Sequence, residues 1–410
     1  MKTDVQWIRS LSFATAVTLC ATAQAESAFD DVVTGAKPIL DTRLRFEGVE
    51  QDGIAQTGEA TTLRGRLGFE SGQVANTALL VEGEFIHPIV EDYNSGTNGN
   101  TAYPVVADPR TSELNRLQLT NTSLPSTTVT AGRQRITLDD QRFVGNVGWR
   151  QNEQTFDAIR IVNKSMPHVT LDVTYLDQVN RVYGRNSAQG RYNGNSVLAN
   201  ASYQTAPGKL TVFAYRVDID PIADVPGAVH DASETFGIRF AGVRSVDALK
   251  LSYVGSYATQ REVDRNPLSF ALDYYLGEIN VAYRAYSLGA GAEILEGNGT
   301  KGFTTPLATL HKFQGWADKF LATPANGIAD RYLNAEVSRQ HWATLDAVSI
   351  IASYHRFDAE RGSLRYGAEA DLQAQAKWGR LTGTLKYADY RANGLLTDTT
   401  KWWLQVEYVW

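Results

Sequence analysis

The sequence predicts an all-β fold: a transmembrane antiparallel β-barrel of about eighteen strands, with sixteen as the alternative count, and a long outer loop folded inward. Three observations predict it. Apolar and polar residues alternate in runs of about ten along most of the chain, the pattern of a strand with one greasy and one wet face. Mean hydropathy is −0.28, too polar for repeated apolar helices. The last run ends on an aromatic residue, Trp410.

Composition narrows the alternatives. The 410 residues are 43% hydrophobic and include 34 Gly but only 12 Pro, a β-type balance well above the polarity of a disordered chain. Lys and Arg number 39 against 45 Asp and Glu, so no basic excess points to nucleic acid.

Residues 1–25 read as a secretory leader. Lys2 and Arg9 give a positive start, Leu11 to Ala23 an apolar stretch too short to span a bilayer, and Ala23-Gln24-Ala25 a small-x-small cleavage pattern. Cys20 is the single cysteine and lies inside it, so the cleaved chain has no thiol for disulfides, thiolate chemistry or Cys-bound metal. Such an exported chain suits a Gram-negative envelope. Residues 26–410 carry no linker or composition break and are expected to form a single barrel domain, with too little chain before the first strand for a plug.

Strands are expected near 39–48, 60–70, 77–86, 113–121, 127–136, 154–163, 168–179, 196–204 and 208–219. The second half adds 232–243, 247–259, 270–284, 287–296, 331–339, 345–357, 365–378, 381–391 and 401–410. Period two is clearest in the last strands. Ala368, Ala370, Leu372, Ala374 and Ala376 oppose Glu369, Asp371, Gln373, Gln375 and Lys377. Tyr366 and Trp378 end that run; at ~3.3 Å per residue and a tilt of roughly 40° they would stand about 30 Å apart, as aromatic girdles do. Trp402, Tyr408 and Trp410 are expected on the same girdles. Connections after even strands are short (71–76, 122–126, 164–167, 205–207), and those after odd strands are often long (87–112, 137–153, 180–195, 297–330). Short periplasmic turns and long outer loops follow. The aromatic ending is similar to that of outer-membrane barrels, whose assembly machinery reads the last residue; the resemblance makes Trp410 the contact.

Two stretches carry a family resemblance. The first runs Ala131-Gly132-Arg133-Gln134-Arg135-Ile136, through Asp139-Asp140-Gln141-Arg142-Phe143-Val144-Gly145 and Trp149-Arg150-Gln151-Asn152, to Gln154-Thr155-Phe156-Asp157-Ala158. The second runs from Thr305-Pro306-Leu307 through Gly315-Trp316-Ala317-Asp318-Lys319-Phe320-Leu321 to Thr323-Pro324-Ala325-Asn326-Gly327. Both resemble the alginate-export porins. The resemblance implies an outer-membrane channel passing an anionic carbohydrate, an alginate-like polyuronate or oligosaccharide, or other small anions, in contact with outer-membrane lipid and lipopolysaccharide.

Residue chemistry fits such a pore in part. Arg43, Arg45, Arg64, Arg66, Arg116, Arg160, Arg216 and Arg239 are read on the polar parity of their strands, and a ladder of planar forks would offer carboxylates successive weak sites. The competing reading pairs them with Asp41, Glu47, Glu70, Glu82 and Glu84 as a filled polar wall. Glu293, Glu369, Asp371 and Glu407 add an acidic side, which suits a general small-solute channel as well. Arg133 and Arg135 share parity with Val129 and Ala131, so a bulge or strand end is expected there. In loop 297–330 the spacing of Leu307, Leu310, Phe313, Trp316 and Phe320 predicts a short amphipathic helix over 306–321. It would bring His311, Lys312, Trp316, Asp318 and Lys319 into the mouth as a constriction, or else lie as a lid. Loop 137–153, with Arg142, Trp149 and Arg150, is the expected other lip, its ring offered to sugars. No Gly-x-Ser-x-Gly or His-Glu-x-x-His motif supports a membrane-embedded hydrolase, and no residue pattern calls for a cofactor; the paired acids Asp139-Asp140 and Glu91-Asp92 could hold Ca²⁺ at the rim or simply be solvated.

Overall fold

The computed structural model describes residues 32–222, 225 and 227–410, so the expected leader and Cys20 lie outside the described residues. Among them the alternation becomes eighteen strands: β1 (Lys37–Gln51), β2 (Gly58–Glu70), β3 (Thr77–Asp92), β4 (Thr111–Asn121), β5 (Thr127–Gln134) and β6 (Thr155–Asn163). β7 (Val169–Asn180), β8 (Arg191–Gln204), β9 (Lys209–Ile219), β10 (Asp231–Val246), β11 (Leu249–Glu262) and β12 (Ala271–Tyr283) follow. β13 (Tyr286–Leu295), β14 (Ile328–Trp342), β15 (Leu345–Asp358), β16 (Arg365–Trp378), β17 (Leu381–Ala392) and β18 (Thr399–Val409) complete the set.

Each strand pairs antiparallel with its chain neighbours, and β18 pairs back onto β1 from Asp41↔Val409 to Gln51↔Thr399, so the sheet closes without an edge. Closure satisfies the backbone hydrogen bonds inside the sheet, the condition for strands to cross hydrocarbon. The outward faces carry Leu44, Leu63, Ile159, Ile161, Val173, Phe236, Ile238, Leu333, Leu372, Leu385, Leu404 and Val406, all exposed. Exposed apolar side chains on successive strands form a lipid-facing belt. A fold of this kind belongs in the outer membrane of a Gram-negative cell. Trp378, Tyr408 and Trp410 lie toward the end with the short turns, and Trp410 packs under the Arg380 guanidinium at 3.8 Å.

Because Leu404 sits mid-strand between Phe46 and Leu385 and is 57% exposed, Leu404→Arg should cost ~2–4 kcal/mol. The midpoint of urea unfolding from lipid vesicles checks this, with Leu404→Phe expected to leave it unchanged.

Tyr366 departs from the expected girdle. The β15–β16 register runs Phe357↔Gly367 and then Asp358↔Arg365, leaving Tyr366 as an extra, unpaired residue. The bulge turns it inward, where it is buried and its hydroxyl donates to the Gly327 carbonyl at 3.0 Å. Trp402 keeps outward parity with Leu404 and covers Gly48, where a Cβ would collide with its indole.

The expected helix over 306–321 is also absent. One 3-10 turn, Leu310–Lys312, is the only helical piece of that segment. Gln314 (φ 52°), Gly315 (φ 79°) and Asp318 (φ 60°) take left-handed conformations that end any helix. At Gly315 the requirement is twofold, since a Cβ there would also strike the Glu369 carboxyl.

Candidate functional site: the lumen and its inward loops

The β5–β6 loop (135–154) and the β13–β14 loop (296–327) fold into the barrel and join one another. Val144 and Leu307 form a parallel bridge, and the Gly145 amide donates to the Leu307 carbonyl at 2.9 Å. The Gln154 side chain donates to the carbonyls of Gly145 (2.9 Å) and Leu307 (3.0 Å), so both loops share one amide. Phe143 inserts among Phe213, Tyr215, Tyr274 and Phe303, anchoring the junction against the wall in apolar contact.

The arginines of β1 and β2 hold this assembly. Arg43 donates to the carbonyls of Gly148, Trp149 and Arg150 at 3.1–3.3 Å while pairing with Glu407 at 2.7 Å. Arg45 reaches the Trp149 carbonyl at 2.6 Å and Gln405 at 2.6 Å. Arg64 pairs with Asp41 and Glu407, and Arg66 with Glu84, Asp41 and Glu153. All four are buried, Arg45 and Arg64 fully. They stand as a ladder, but its rungs are occupied by loop carbonyls and carboxylates. Glu47, assigned in the competing reading as an arginine partner, meets Arg150 at 3.0 Å.

The other arginines divide. Arg116 pairs with Glu82 at 2.6 Å, and Asn115 bonds the same carboxylate because a register shift at Glu82/Gly83 brings both inward. Arg160 pairs with Asp172 at 2.5 Å and Arg239 with Asp140 at 3.0 Å, both inside. Arg216 is a correction: it shares parity with exposed Val212 and lies half-exposed on the outer face, paired with Asp264 and Glu234. It does not line the lumen. Arg133 stays outward beside Asp157 at 2.7 Å, whereas Arg135, beyond the end of β5, turns in to Glu82 and Glu153.

Around the loop tips the charges form one connected group. Asp318 accepts from Arg150 at 2.7 Å, Lys401 at 3.0 Å and His311 Nδ1 at 2.7 Å. His311 Nε2 accepts from the Lys386 ammonium at 2.7 Å, which fixes the ring proton on Nδ1. Lys386 sits in an aromatic cage, 3.8 Å from the Trp316 ring centroid, 4.1 Å from Trp149 and 5.4 Å from Trp403. Trp149 stacks on His311 at 4.6 Å and carries Arg45 at 4.2 Å, so its faces are occupied and do not await a sugar. Burial pushes the His311 imidazole down to about 3, with Lys386 and Arg150 adding to it against Asp318. Burial would raise the Asp318 carboxyl, but His311, Lys401 and Arg150 hold it well below the usual carboxylate range.

Across the lumen Arg142 pairs with Glu293 at 2.7 Å, and Gln314 bonds the same carboxylate. The Ala317 amide donates to Glu369 at 2.7 Å. Asp371, adjacent on that face, is buried next to His355, whose Nδ1 lies 2.9 Å from Asp330. Lys312 reaches the Asp140 carbonyl at 2.9 Å.

These contacts divide the lumen. An outer vestibule of about 560 Å³ is lined by Arg142, Arg150, Arg181, Lys319, Lys401 and His311 with only Asp231 and Asp318 as acids. An inner cavity of about 520 Å³ is lined by Asp140, Glu278, Glu293, Asp330 and Glu336 against Arg239, Lys312 and His355. Among the described residues neither Arg181 nor Lys319 of the outer vestibule has a carboxylate at ion-pair distance. Arg181 donates to the Gln189 carbonyl at 2.9 Å and packs on Tyr192 and Tyr183 at 4.0 and 4.9 Å; Lys319 donates to Thr399 at 2.7 Å. Burial and the nearby Lys401 charge lower Lys319 to about 8. Arg181 was missed from sequence; its place in an outer loop two residues before Tyr183 was the available signal.

Comparison with known proteins agrees with this geometry. The alginate export family matches residues 115–267. No curated protein matches the chain. The solved structure of Pseudomonas aeruginosa OccK3 (OpdO) is similar with a TM-score of 0.69 at 13% identity, over 94% of this chain and 99% of that one. P. aeruginosa OccK9 (OpdG) gives 0.70 at 16% over 92% and 100%. P. aeruginosa OpdK, solved with vanillate, gives 0.65 at 16% over 92% and 99%. With its closed greasy wall and divided wet lumen, the chain is an outer-membrane β-barrel with the fold of these porins, and its residues 115–267 match the alginate export family model.

Proposed function

We propose that the channel admits small carboxylate-bearing solutes, uronate sugars and their short oligomers among them, from the outer side. The observation that carries this reading is the pair of cations without carboxylate partners, Arg181 and Lys319, in an outer vestibule whose basic residues outnumber its acids. A carboxylate entering there meets charge that the protein has not already neutralised, whereas Arg43, Arg45, Arg64 and Arg66 are committed to the loops and to Asp41, Glu84, Glu153 and Glu407. Two or three weak contacts favour entry without trapping the ion. The passage needs no catalysis, and no step of it calls for a cofactor.

A second reading, a general small-solute channel without carbohydrate preference, is favoured by the acidic inner cavity, which repels a free anion. Reversal potentials across planar bilayers in a salt gradient decide between them. The wild-type channel should prefer chloride over potassium at pH 7, and the preference should weaken as pH rises through 8 and Lys319 loses its proton. Lys319→Glu combined with Arg181→Glu should lose or reverse it. Vanillate and uronate trisaccharide added on the outer side should each reduce the current, the trisaccharide more strongly if the carbohydrate reading holds. A cation-selective wild type, or a preference that the double variant leaves intact, overturns the proposal.

A further inference from the structure

His230, just before β10, is an unused buried imidazole. It is 8% exposed, and neither ring nitrogen has a hydrogen-bond partner among the described residues. Its Nε2 lies 2.8 Å from Asp218 Oδ1 at the outer end of β9, yet the alignment makes no hydrogen bond, and that carboxylate oxygen is buried and unpartnered too. Asp220 Oδ1 stands 3.7 Å from Nδ1. One donor atom from each of the three residues falls within 4.8 Å of the other two. Asp218 has the parity of exposed Val212, so the cluster faces outward at the rim, away from the lumen.

We propose that Asp218, Asp220 and His230 form a divalent transition-metal site on the outer rim of the barrel, taking Zn²⁺ or an ion of like chemistry. An imidazole with two carboxylates suits borderline ions such as Zn²⁺, Ni²⁺ or Cu²⁺, whereas Ca²⁺ and Mg²⁺ demand oxygen alone. A spacing of 2.8 Å between Nε2 and Oδ1 fits two ligands at about 2.0–2.1 Å from one ion, roughly a right angle apart, with remaining positions open to water. A buried imidazole beside a carboxylate that it does not hydrogen-bond is an arrangement that an ion between them satisfies. The nearest competitor is Arg265, whose guanidinium is 3.7 Å from Asp220 Oδ1 but whose side chain is 78% exposed and free to withdraw. The bound ion would tie the end of β9 to the start of β10, stapling the loop between them.

The test is calorimetric titration of ZnCl₂ into the untagged full chain folded in detergent micelles, with CaCl₂ in parallel. One saturable Zn²⁺ site is expected, with affinity at least tenfold weaker in His230→Gln and in Asp218→Asn, and no matching Ca²⁺ isotherm. Circular dichroism of both variants confirms the barrel, so weaker binding is not misfolding. A Zn²⁺ loading that raises the protease resistance of the β9–β10 loop in wild type and not in His230→Gln supports the site independently. Absence of a saturable isotherm, equal binding in His230→Gln, or equal affinity for Ca²⁺ overturns the assignment.

Discussion

Replacing residues 303–320 by a short Gly-Ser linker should raise single-channel conductance several-fold while leaving the β-sheet circular dichroism unchanged. The segment lies between two cavities of about 560 and 520 Å³ and contributes residues to both. Its removal takes out Trp316, Asp318 and Lys319, together with the amide at Ala317 that Glu369 holds at 2.7 Å. The barrel does not depend on it. Every strand finds its partners in its neighbours, and β13 and β14 pair directly from Tyr286↔Val337 to Leu295↔Ile328. The loop 135–154 stays in place, because Arg43 and Arg45 grip its carbonyls from β1. The enlarged channel should therefore remain narrower than an empty eighteen-stranded barrel, and adding Arg43→Ala with Arg45→Ala should widen it again. Unchanged conductance in a folded deletion variant would place the constriction elsewhere.

The strands were legible because the pleat converts a two-residue period directly into inside and outside, and a bilayer punishes errors of parity. Thr127–Gln134, Ala271–Tyr283 and Arg365–Trp378 fall close to the expected runs. What period two cannot show is a bulge. Tyr366 looks like a girdle residue only until the extra residue at the β15–β16 shift turns it to the lumen. Arg216 fails for a related reason: near the rim an outward arginine meets Asp264 and Glu234 rather than lipid tails, so parity and polarity part company. The inward fold of the loop was legible and its shape was not, since its backbone is held by side chains far away in sequence. Of the arginine partners expected from sequence, Asp41, Glu82 and Glu84 do meet Arg64, Arg116 and Arg66, whereas Glu407 and the loop carbonyls could not be read there. Arg43 meets Glu407 across 364 residues and loop carbonyls across more than a hundred, separations that no local pattern encodes. Parity put Arg43, Arg45, Arg64 and Arg66 on the inner face and Arg216 wrongly beside them, and it left open whether an inward charge faces solute or protein.

Acidification should loosen the loop assembly, and His311→Gln should remove most of that sensitivity between pH 6 and 4. The sign follows from the direction of each shift. His311 is held at about 3 in the fold against 6.5 ordinarily, so between those values the released ring binds a proton that the folded one refuses. Stability then falls as pH falls, by at most about 5 kcal/mol over the whole window at 1.36 kcal/mol per unit. Asp318 acts in the same direction but lower: its carboxyl is held well below the usual range, so its contribution is complete above about 4 and is lost only as pH drops through its folded value. The groups facing the imidazole oppose protonation from three elements. Lys386 on β17 donates to Nε2, Arg150 approaches from the loop 135–154, and Lys401 on β18 shares Asp318. A proton on Nε2 must expel the Lys386 ammonium from its bond while both stay buried among Trp149, Trp316 and Trp403. Loop release is the less costly outcome. Open-channel current should therefore grow noisier and larger on average from pH 6 to 4. Glutamine offers an oxygen to Lys386 and an amide to Asp318 without a titratable proton, so His311→Gln should stay quiet to about pH 4, where carboxylates begin to protonate. Asp318→Asn should be noisy even at pH 7, because it leaves Arg150 and Lys401 buried with less compensation, a loss of about 3–5 kcal/mol. An acid response in His311→Gln with the wild-type midpoint would show that the loops are released by other groups.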